Sequence, residues 1–320
     1  MELLCPANSY ASAVKVIAAG ADSIYIGVDE KIFQSVSFTG RGKYNNNHEK
    51  ILVDLDELVK ITQYAHSLNK EVYYIANFPF LSGGKYNDKS LENYFLEYID
   101  NGINANVDAI VIGDIGILSL LNKRNYSKKI HASCYFDTIN KDQLLLMKEM
   151  GVSRVTLSYQ ATLEEIIELC QTNILEIEVF GYGGCAFFLN SCSFTHDFGE
   201  TKCSDFIPGL TCKGEYFVEC DGRVECSRIL NVESGCGLCK IEELSNIGVK
   251  SLKITGRDIN NDSIQNTVSL FRKFIDNTEK RMPLTIKKKD IPDWWKMYWC
   301  RNNRCKYNEK ADNYKYIIGK

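Results

Sequence analysis

The sequence predicts a (β/α)8 barrel, and three observations support this fold class. One unit recurs along the chain, in which a helix ends at a small-residue turn and a short β-branched strand follows at once. The strands are apolar without alternation, as in parallel strands that are covered on both faces. Eight such strands can be counted, which is the number that closes a barrel of this type. The unit recurs at Ala18–Gly27, Asn104–Gly113, Glu149–Ser158 and Asn246–Gly256.

The remaining elements fill the intervals between these units. Further strands are predicted at Glu2–Cys5, Glu71–Asn77, Lys129–Ser133 and Glu176–Gly181, and the eighth strand at Ser251–Thr255. Helices are predicted at Ser9–Ala19, Leu55–Leu68, Ser90–Asn101, Ile115–Lys123, Lys141–Met150 and Leu163–Cys170. Ser9 and Thr162 suit helix N-caps, and Gly20, Gly151 and Gly248 stand where a helix end needs a left-handed residue. A doubly wound open sheet is the alternative, but no Gly-x-Gly-x-x-Gly follows the first strand.

The most unusual stretch is a cysteine-rich segment at residues 182–240. It holds eight of the thirteen cysteines and falls between the predicted seventh and eighth strands. In a barrel this is a loop on the C-terminal face, where active sites are built, and loops there usually have about two to six residues. Two alternating runs around Asp221-Gly222 predict a hairpin inside it. We therefore expect four parts: seven βα units at 1–181, the insertion at 182–240, the last unit at 241–280 and a tail at 281–320.

Composition and charge exclude several classes of protein. The 45% of hydrophobic residues suffices for a large core, and a net charge of -3 gives no bulk attraction to nucleic acid or membrane. The first residues lack the basic region and apolar run of a signal peptide. No segment approaches the about 20 apolar residues of a membrane helix. We therefore expect a cytoplasmic protein without membrane association, whose thiols are reduced, and this favours metal binding over disulfides.

The spacing of the cysteines does not by itself identify a metal. A structural zinc site usually has two Cys-x2-Cys pairs, whereas this segment has one, Cys236 and Cys239. Cys185 and Cys192 are too far apart for a zinc knuckle and do not follow the ferredoxin pattern. The spacing therefore indicates only that several thiolates converge. The cysteines on predicted strands or helices are expected to pack in the core: Cys5, Cys134 and Cys170.

Several stretches resemble, in order, the motifs of one family. The opening strand and Ala-Gly-Ala-Asp turn of that family are matched by MELLCPANSYASAVKVIAAGADSIYIG, and its His-Ala-Ser segment by HASCYFDTIN. Its next βα unit resembles GVSRVTLSYQATLEEI, and its strand with a Cys-x6-Cys pair resembles EIEVFGYGGCAFFLNSC. Its closing block is similar to GCGLCKIEELSNIGVKSLKITGR. Over residues 1–275 the chain thus resembles the U32 collagenase-like peptidase family.

The resemblance implies both an activity and a cofactor. Several members of the family are oxygen-independent hydroxylation proteins that act in ubiquinone synthesis or on tRNA and ribosomal RNA bases. These members hold a [4Fe-4S] cluster on four cysteines. Carried over position by position, the ligands are Cys185, Cys192, Cys212 and Cys239. Cys203 competes with Cys212 for the third place, and the further alternates are Cys226 and Cys236.

The chain departs from the family pattern at the predicted barrel mouth. The His-Gly before the first cluster cysteine is Tyr182-Gly183 here, and the Arg-Glu that closes the sixth strand is Tyr159-Gln160. The family's Ile-Glu-Gly-Arg reads Ile-Thr-Gly-Arg and ends at Arg257. A histidine and two acids are thus absent, so we expect a substrate other than that of the common members. Three cysteines exceed the family's count and leave either a second metal site or surplus thiols: Cys220, Cys226 and Cys236.

Five residues are candidates for catalysis. His131 ends a strand and could act as an acid or base, with a hydrogen-bonded rim histidine as the alternative. Arg41, after the second strand, and Arg257, after the eighth, suit bidentate binding of a carboxylate or phosphate. Lys253 would project into the barrel if its strand neighbours face outward, and it would then need a partner. Tyr182 is a candidate at the rim.

The tail combines basic and aromatic residues. From residue 281 to 320 it has eleven Lys or Arg against four Asp or Glu, which is a net charge of +7. The interleaved residues are Trp294, Trp295, Tyr298 and Trp299 with Lys287–Lys289, Arg301 and Arg304. Such a pattern suits stacking on single-stranded nucleic acid, but we prefer an aromatic cluster packed on the barrel with its charges solvated. Cys300 and Cys305 add a Cys-x4-Cys pair.

Together these observations predict an iron–sulfur protein that catalyses an oxygen-independent hydroxylation or a related redox modification. Its substrate would be a small molecule, a peptide or an RNA base. One alternative is a U32-type peptidase that hydrolyses peptides, and another is a non-catalytic, cluster-carrying subunit that acts with a homologous partner. The missing histidine and acids favour the subunit over the peptidase.

Overall fold

The predicted barrel is present and closed. The structure, a computed structural model, describes residues 1–28, 43–44, 50–51, 53–77, 89–124, 126–183, 216–220, 222–227, 235–256, 261–301 and 304–307. Its eight parallel strands are β1 (Glu2–Pro6), β2 (Ser23–Ile26), β3 (Glu71–Ala76), β4 (Ala109–Ile112), β5 (Lys129–Ala132), β6 (Val152–Thr156), β7 (Glu176–Gly183) and β8 (Ser251–Ile254). They pair in chain order from β1 to β6, while β8 lies between β1 and β7, and the β6–β7 pairing closes the ring.

Helices cover the outside of the strands. They are α1 (Tyr10–Ala18), α2 (Leu55–Ser67), α3 (Lys89–Asn104), α4 (Ile115–Arg124), α5 (Lys141–Glu149), α6 (Leu163–Gln171), α7 (Ile241–Asn246) and α8 (Asn261–Glu279). Both predicted N-caps are confirmed, since the Ser9 hydroxyl accepts from the backbone N–H of Ser12 and Thr162 forms a reciprocal capping box with Glu165. Such caps satisfy backbone donors that a helix start leaves without partners.

The glycine that ends the first helix illustrates why the recurrent unit needs a small residue. Gly20 has a φ of +108°, in the left-handed region that was predicted for it. A Cβ at this position would lie 2.4 Å from the Cγ atom of Arg272. Arg272, on α8, binds Asp22 at 2.9 Å immediately after this turn. The turn therefore brings α8 against the start of β2, which a larger residue would prevent.

Two apolar regions follow from the alternation of side chains along the strands. One face of each strand packs under the helices, as Leu3, Ile24 and Val72 do. The other face points into the barrel, where a smaller apolar cluster lies: Leu4, Tyr25, Tyr73, Ile75, Ala109 and Val111. The rest of the barrel interior is polar, which makes it the first place to look for a site.

The insertion and the tail meet at the C-terminal rim. The insertion contains the predicted hairpin, with strands Tyr216–Cys220 and Arg223–Ser227, and returns through the short strand Gly235–Cys236, which pairs antiparallel with the end of β7. The tail forms α9 (Leu284–Lys289), α10 (Asp293–Trp295) and a π-helical turn at Lys296–Cys300. Across the described part of the chain, no helix combines the length and apolar character needed to span a membrane.

Candidate functional site

The barrel interior holds a group of charged side chains, called here the interior network: Glu2, Arg154, Glu176, Glu178 and Lys253. The Arg154 guanidinium lies 2.8 Å from a carboxylate oxygen of Glu2 and 2.8 Å from one of Glu176. The Arg154 side chain is 5% exposed, so these contacts offset the cost of burying its charge. Arg154 on β6 and Glu176 on β7 are direct neighbours in the strand register.

Lys253 and Glu178 form the other half of the interior network. The Nζ atom of Lys253 lies 3.1 Å from Oε1 of Glu178 and 4.7 Å from the centre of the Tyr25 ring. Thr156 donates a hydrogen bond of 2.7 Å to the same carboxylate oxygen. Burial alone would raise the pKa of Glu178, but the charges of Lys253 and Arg154 outweigh it and lower the pKa. Lys253 thus projects into the barrel and has the charged partner that such a position requires.

His131, on β5, lies beside the interior network. Its ring contacts the Tyr73 ring edge-to-face, with 4.7 Å between the ring centres. Burial lowers the pKa of His131 well below its usual value, and the nearby positive charges, that of Arg154 first among them, lower it further. The imidazole is therefore neutral at pH 7, and it can accept a proton but cannot serve as a fixed cation.

The N-terminal end of the barrel is open to a cavity of about 400 Å³. Charged side chains of the strands line it: Glu2, Glu71, Lys129, Arg154 and Glu176. The Tyr73 hydroxyl lies 2.6 Å from Glu71 and 2.9 Å from Glu2. In barrels of this fold the N-terminal face contributes to stability, and chemistry takes place at the opposite face. We therefore treat the cavity as the structural floor of the interior network.

At the C-terminal mouth the described residues are polar and neutral. Asn77 donates a hydrogen bond of 3.1 Å to the Ser133 hydroxyl, which lies 3.9 Å from the sulfur of Cys134. Burial raises the pKa of Cys134, so the thiol is protonated and is not an activated nucleophile. Asp114, another residue at the rim, caps α4 by accepting from the backbone N–H of Ile117 at 2.9 Å.

The ring of Tyr182 packs away from the mouth. It contacts the rings of Phe271, Trp295 and Trp299 at centre-to-centre distances of 6.2, 5.4 and 5.2 Å. Trp295 and Trp299 are 1% and 5% exposed, so half of the tail's aromatic residues belong to the core, as we preferred. Tyr182, predicted as a catalytic rim residue, thus joins the tail to the barrel. We call these four rings the aromatic cluster.

Several predicted site residues lie outside the described residues: Arg41, Arg257, Cys185, Cys192, Cys203 and Cys212. Their roles stay predictions. Among the other proposed ligands, Cys226 is exposed on the insertion hairpin, Cys236 is buried and Cys239 is half-buried. Cys5 and Cys170 are buried in the outer core, and burial raises the pKa of Cys170 to about 11, which suits the packing role expected for them.

Four cysteines meet beside the rim, and we call them the tail cysteine group: Cys236, Cys239, Cys300 and Cys305. Cys236 and Cys305 face each other across a parallel β-bridge. Cys239 follows in the 3-10 turn Leu238–Lys240, and Cys300 ends the π-helical turn. Within the described ranges, no three potential ligands converge on a point where a single metal ion could bind. The tail's Cys-x4-Cys pair was the only sequence signal for this group.

The last described residues fasten the tail to the rim, in a contact called here the tail anchor. The Nζ atom of Lys306 hydrogen-bonds the carbonyl oxygen of Tyr159 and lies 3.8 Å from the centre of its ring. The Tyr307 hydroxyl donates a hydrogen bond of 2.6 Å to the carbonyl oxygen of Phe180. Burial lowers the pKa of Lys306 to about 7. Nothing in the sequence around Lys306 indicated such a position.

The comparison with protein families decides the assignment of the chain. The model of Peptidase family U32 matches residues 8–307, which include the barrel, the insertion and the tail anchor. The chain belongs to this family. A solved structure described as a U32 peptidase superposes with a TM-score of 0.52 and 11% identity, covering 80% of this chain and 93% of that one. At this identity the likeness of the two U32 chains shows the barrel fold alone.

Curated relatives of this U32 chain carry different names. An uncharacterized protease of Methanocaldococcus jannaschii is 28% identical over 87% of this chain and 65% of its own length. The tRNA hydroxylation protein P of Escherichia coli is 24% identical over 88% of this chain and 69% of its own. The 23S rRNA 5-hydroxycytidine synthase of Escherichia coli is 25% identical over 86% of this chain and 39% of its own. The chain thus spans from well under half to about two thirds of these relatives.

Proposed function

We propose that this U32 protein takes part in the hydroxylation of an RNA base at the C-terminal mouth of its barrel. The observation that carries the proposal is the similarity to two RNA hydroxylation proteins over 88% and 86% of the chain. RNA is thereby favoured over the small molecules and peptides that the sequence also left open. An RNA base must leave its stack to reach a barrel mouth, as in other enzymes that modify bases.

The cofactor of the proposal is a [4Fe-4S] cluster on thiolates of the insertion. Its ligands would be Cys185, Cys192, Cys212 and Cys239, with Cys203 as the alternate. Cysteine thiolates are the usual ligands of such clusters, and a bound cluster would supply one-electron redox chemistry at the mouth. Cys239, the described member, fits this role in type and position, because it is half-buried at the rim and the charge of Lys288 acts against the rise that burial causes in its pKa.

The described side chains assign roles to the protein itself. Asn77 and Ser133 at the mouth can donate and accept hydrogen bonds along the edge of a base. Replacing a C–H bond by C–OH removes two electrons and a proton from the carbon atom. The neutral imidazole of His131 is the group assigned to accept that proton. Lys253, held by Glu178, supplies a fixed positive charge below the mouth.

Hydrolysis of peptides is less well supported by the described residues. A cysteine peptidase needs a thiolate that is activated by an imidazole. Cys134 lies next to the Ser133 hydroxyl, and burial raises its pKa instead of lowering it. His131 packs on Tyr73 and faces the charges of the interior network. A subunit that supports a homologous catalytic partner remains the second candidate, because the family's acids are absent from Tyr159-Gln160 and Thr255.

The test is the nucleoside content of RNA from cells in which the gene for this chain is deleted. Mass spectrometry of digested tRNA and ribosomal RNA should show the loss of a nucleoside that carries one extra oxygen atom. The wild-type chain and the control Cys5→Ala should restore it, whereas Cys185→Ala and Lys253→Met should not. Unchanged RNA in the deleted cells would contradict the proposed function.

A further inference from the structure

The tail cysteine group is made of two sequence pairs that the family pattern does not connect. We infer that Cys236, Cys239, Cys300 and Cys305 bind a second iron–sulfur cluster. This inference goes beyond the proposed function and takes Cys239 from its ligand set, which leaves Cys203 as the fourth thiolate of the cluster in the insertion. The two claims therefore make different predictions for the same cysteine.

The backbone holds the two pairs together. Cys236 donates its N–H to the carbonyl oxygen of Arg304 at 2.9 Å, and Lys306 donates its N–H to the carbonyl oxygen of Cys236 at 2.9 Å. These two bonds flank Cys305, which is bridged to Cys236. The Arg304 N–H also donates to the carbonyl oxygen of Trp299 at 3.0 Å, next to Cys300. Four cysteines from positions 236 to 305 are thus held by main-chain geometry.

The surroundings of Cys236 are those of a ligand. The backbone N–H of Leu238 and the indole of Trp295 both hydrogen-bond its sulfur. In a Cys-x2-Cys pair, the N–H two residues after the first cysteine can reach that sulfur only if the pair is already turned. Hydrogen bonds to the sulfurs stabilise thiolates and tune iron–sulfur clusters. A cysteine that merely filled the core would not need two donors.

The charges around the group favour a bound cation centre. Burial raises the pKa of Cys236 to about 12, and the neighbouring Cys239 and Cys305 add to this rise. Burial also raises the pKa of Cys239, and Cys305 and Cys300 contribute in the same direction, while Lys288 opposes it. Four thiols so close together repel one another once ionised. Iron would remove that repulsion, and the basic Lys288 would balance the remaining negative charge.

The spacing of the group distinguishes a cluster from a single ion. Zinc would need the four sulfurs at about 2.3 Å from one point, and no three described ligands are so arranged. In a [4Fe-4S] cluster each cysteine binds a different iron atom, so the sulfurs stand farther apart. The aromatic cluster covers one side of the group, because Trp295 contacts Cys236 directly. The arrangement therefore fits a polynuclear centre at the edge of the rim.

The test compares the iron and acid-labile sulfide content of full-length variants that are reconstituted anaerobically. The wild-type protein should hold two clusters, with about four irons in each. The double variant Cys300→Ser/Cys305→Ser should lose half of the iron, and so should Cys239→Ser. Cys185→Ala/Cys192→Ala should lose the other half, and the matched control Cys5→Ala/Cys170→Ala should lose none. Full iron content in Cys300→Ser/Cys305→Ser would overturn the inference, as would zinc in place of iron.

The outcomes keep the two proposals apart. If Cys185→Ala/Cys192→Ala retains all its iron while the tail variant loses it, the cluster in the insertion fails and the inference stands. A second measurement on the wild-type chain avoids variants that do not fold. Cys300 is exposed, yet it should resist alkylation in the iron-loaded protein and react after iron is removed. Equal alkylation of Cys300 in both forms would also overturn the inference.

Discussion

Replacing Lys253 by Met tests whether the interior network stabilises the barrel. The substitution keeps the length and apolar stem of the side chain but removes its charge. The Glu178 carboxylate, whose side chain is 3% exposed, would then lose the cation that lies 3.1 Å away. Its remaining partners would be Arg154 at 3.9 Å and the Thr156 hydroxyl at 2.7 Å.

The size of the effect follows from these contacts. Removing one partner of a buried ion pair costs about 3–5 kcal/mol, because the other charge stays buried. Coulomb attraction falls inversely with distance, so Arg154 still supplies a substantial share of the attraction that Glu178 experiences. We therefore expect a loss near the lower end, about 3 kcal/mol. Adding Glu178→Gln should recover part of this loss, because it removes the unpaired charge.

Urea denaturation followed by circular dichroism measures the free energy of unfolding of each variant. The matched control is Lys129→Met, since Lys129 is 63% exposed and lies 3.8 Å from Glu71. A pair this exposed contributes about 0–1 kcal/mol. A double-mutant cycle of Lys253→Met and Glu178→Gln then isolates the coupling between the two residues. If Lys253→Met costs no more than Lys129→Met, or if the coupling is zero, the interior network does not stabilise the fold.

Three further predictions concern other parts of the structure. Trp299→Ala should destabilise the protein by about 3–5 kcal/mol, whereas Trp294→Ala, at a residue that is 51% exposed, should cost far less in the same urea assay; equal costs would contradict the aromatic cluster. The folded-state pKa of Glu178 is lowered, so its contribution is complete above the unfolded value of about 4.3 and is lost as the pH falls through the folded value; Glu178→Gln should flatten the acid side of a melting-temperature profile, and an unaltered profile would be a negative result. Lys306 has a folded pKa of about 7 against about 10.4 unfolded, so folding releases a proton between these values and stability should rise with pH across that interval; the rise should be absent in Lys306→Met, and its persistence would exclude Lys306 as the cause.

The barrel could be predicted because its signals are local. A helix that ends at Gly20, Gly151 or Gly248 requires a left-handed residue, and these glycines have φ values of +108°, +84° and +97°. The N-caps Ser9 and Thr162 are likewise short-range interactions. Lys253 could be placed inside the barrel from the alternation of strand residues alone. Its partner Glu178 could not be named, because strand register is set by tertiary contacts.

Tyr182 shows where the alternation rule fails. By that rule it would share the inward face of Glu178 and Phe180. The register of β7 against β8 slips at this point, since Lys253 pairs with Phe180 but Ile254 pairs with Tyr182. An extra residue in one strand re-aims the side chains that follow it, and the Tyr182 ring therefore packs on Trp295 and Trp299. Such an irregularity leaves no mark in the sequence.

The tail cysteine group could not be predicted for a different reason. Its two pairs are separated by about sixty residues, and no spacing rule covers that interval. They meet because the chain after α8 turns back over the rim and pairs beside the strand Gly235–Cys236. The buried position of Lys306 follows from the same path. Long-range contacts of this kind come from the fold and are absent from local patterns.

The strand Gly235–Cys236 has a consequence for how the protein acquires its metals. It joins the end of β7 to residues 304–306, so the rim is closed by contacts between positions far apart in the chain. Contacts of high sequence separation form late in folding and are among the first to open. The barrel has its own ring of paired strands, so the rim can open while the barrel stays folded. Iron and sulfide can therefore be loaded into a protein that already has its barrel, and hydrogen exchange should be faster at Cys236 than in β1.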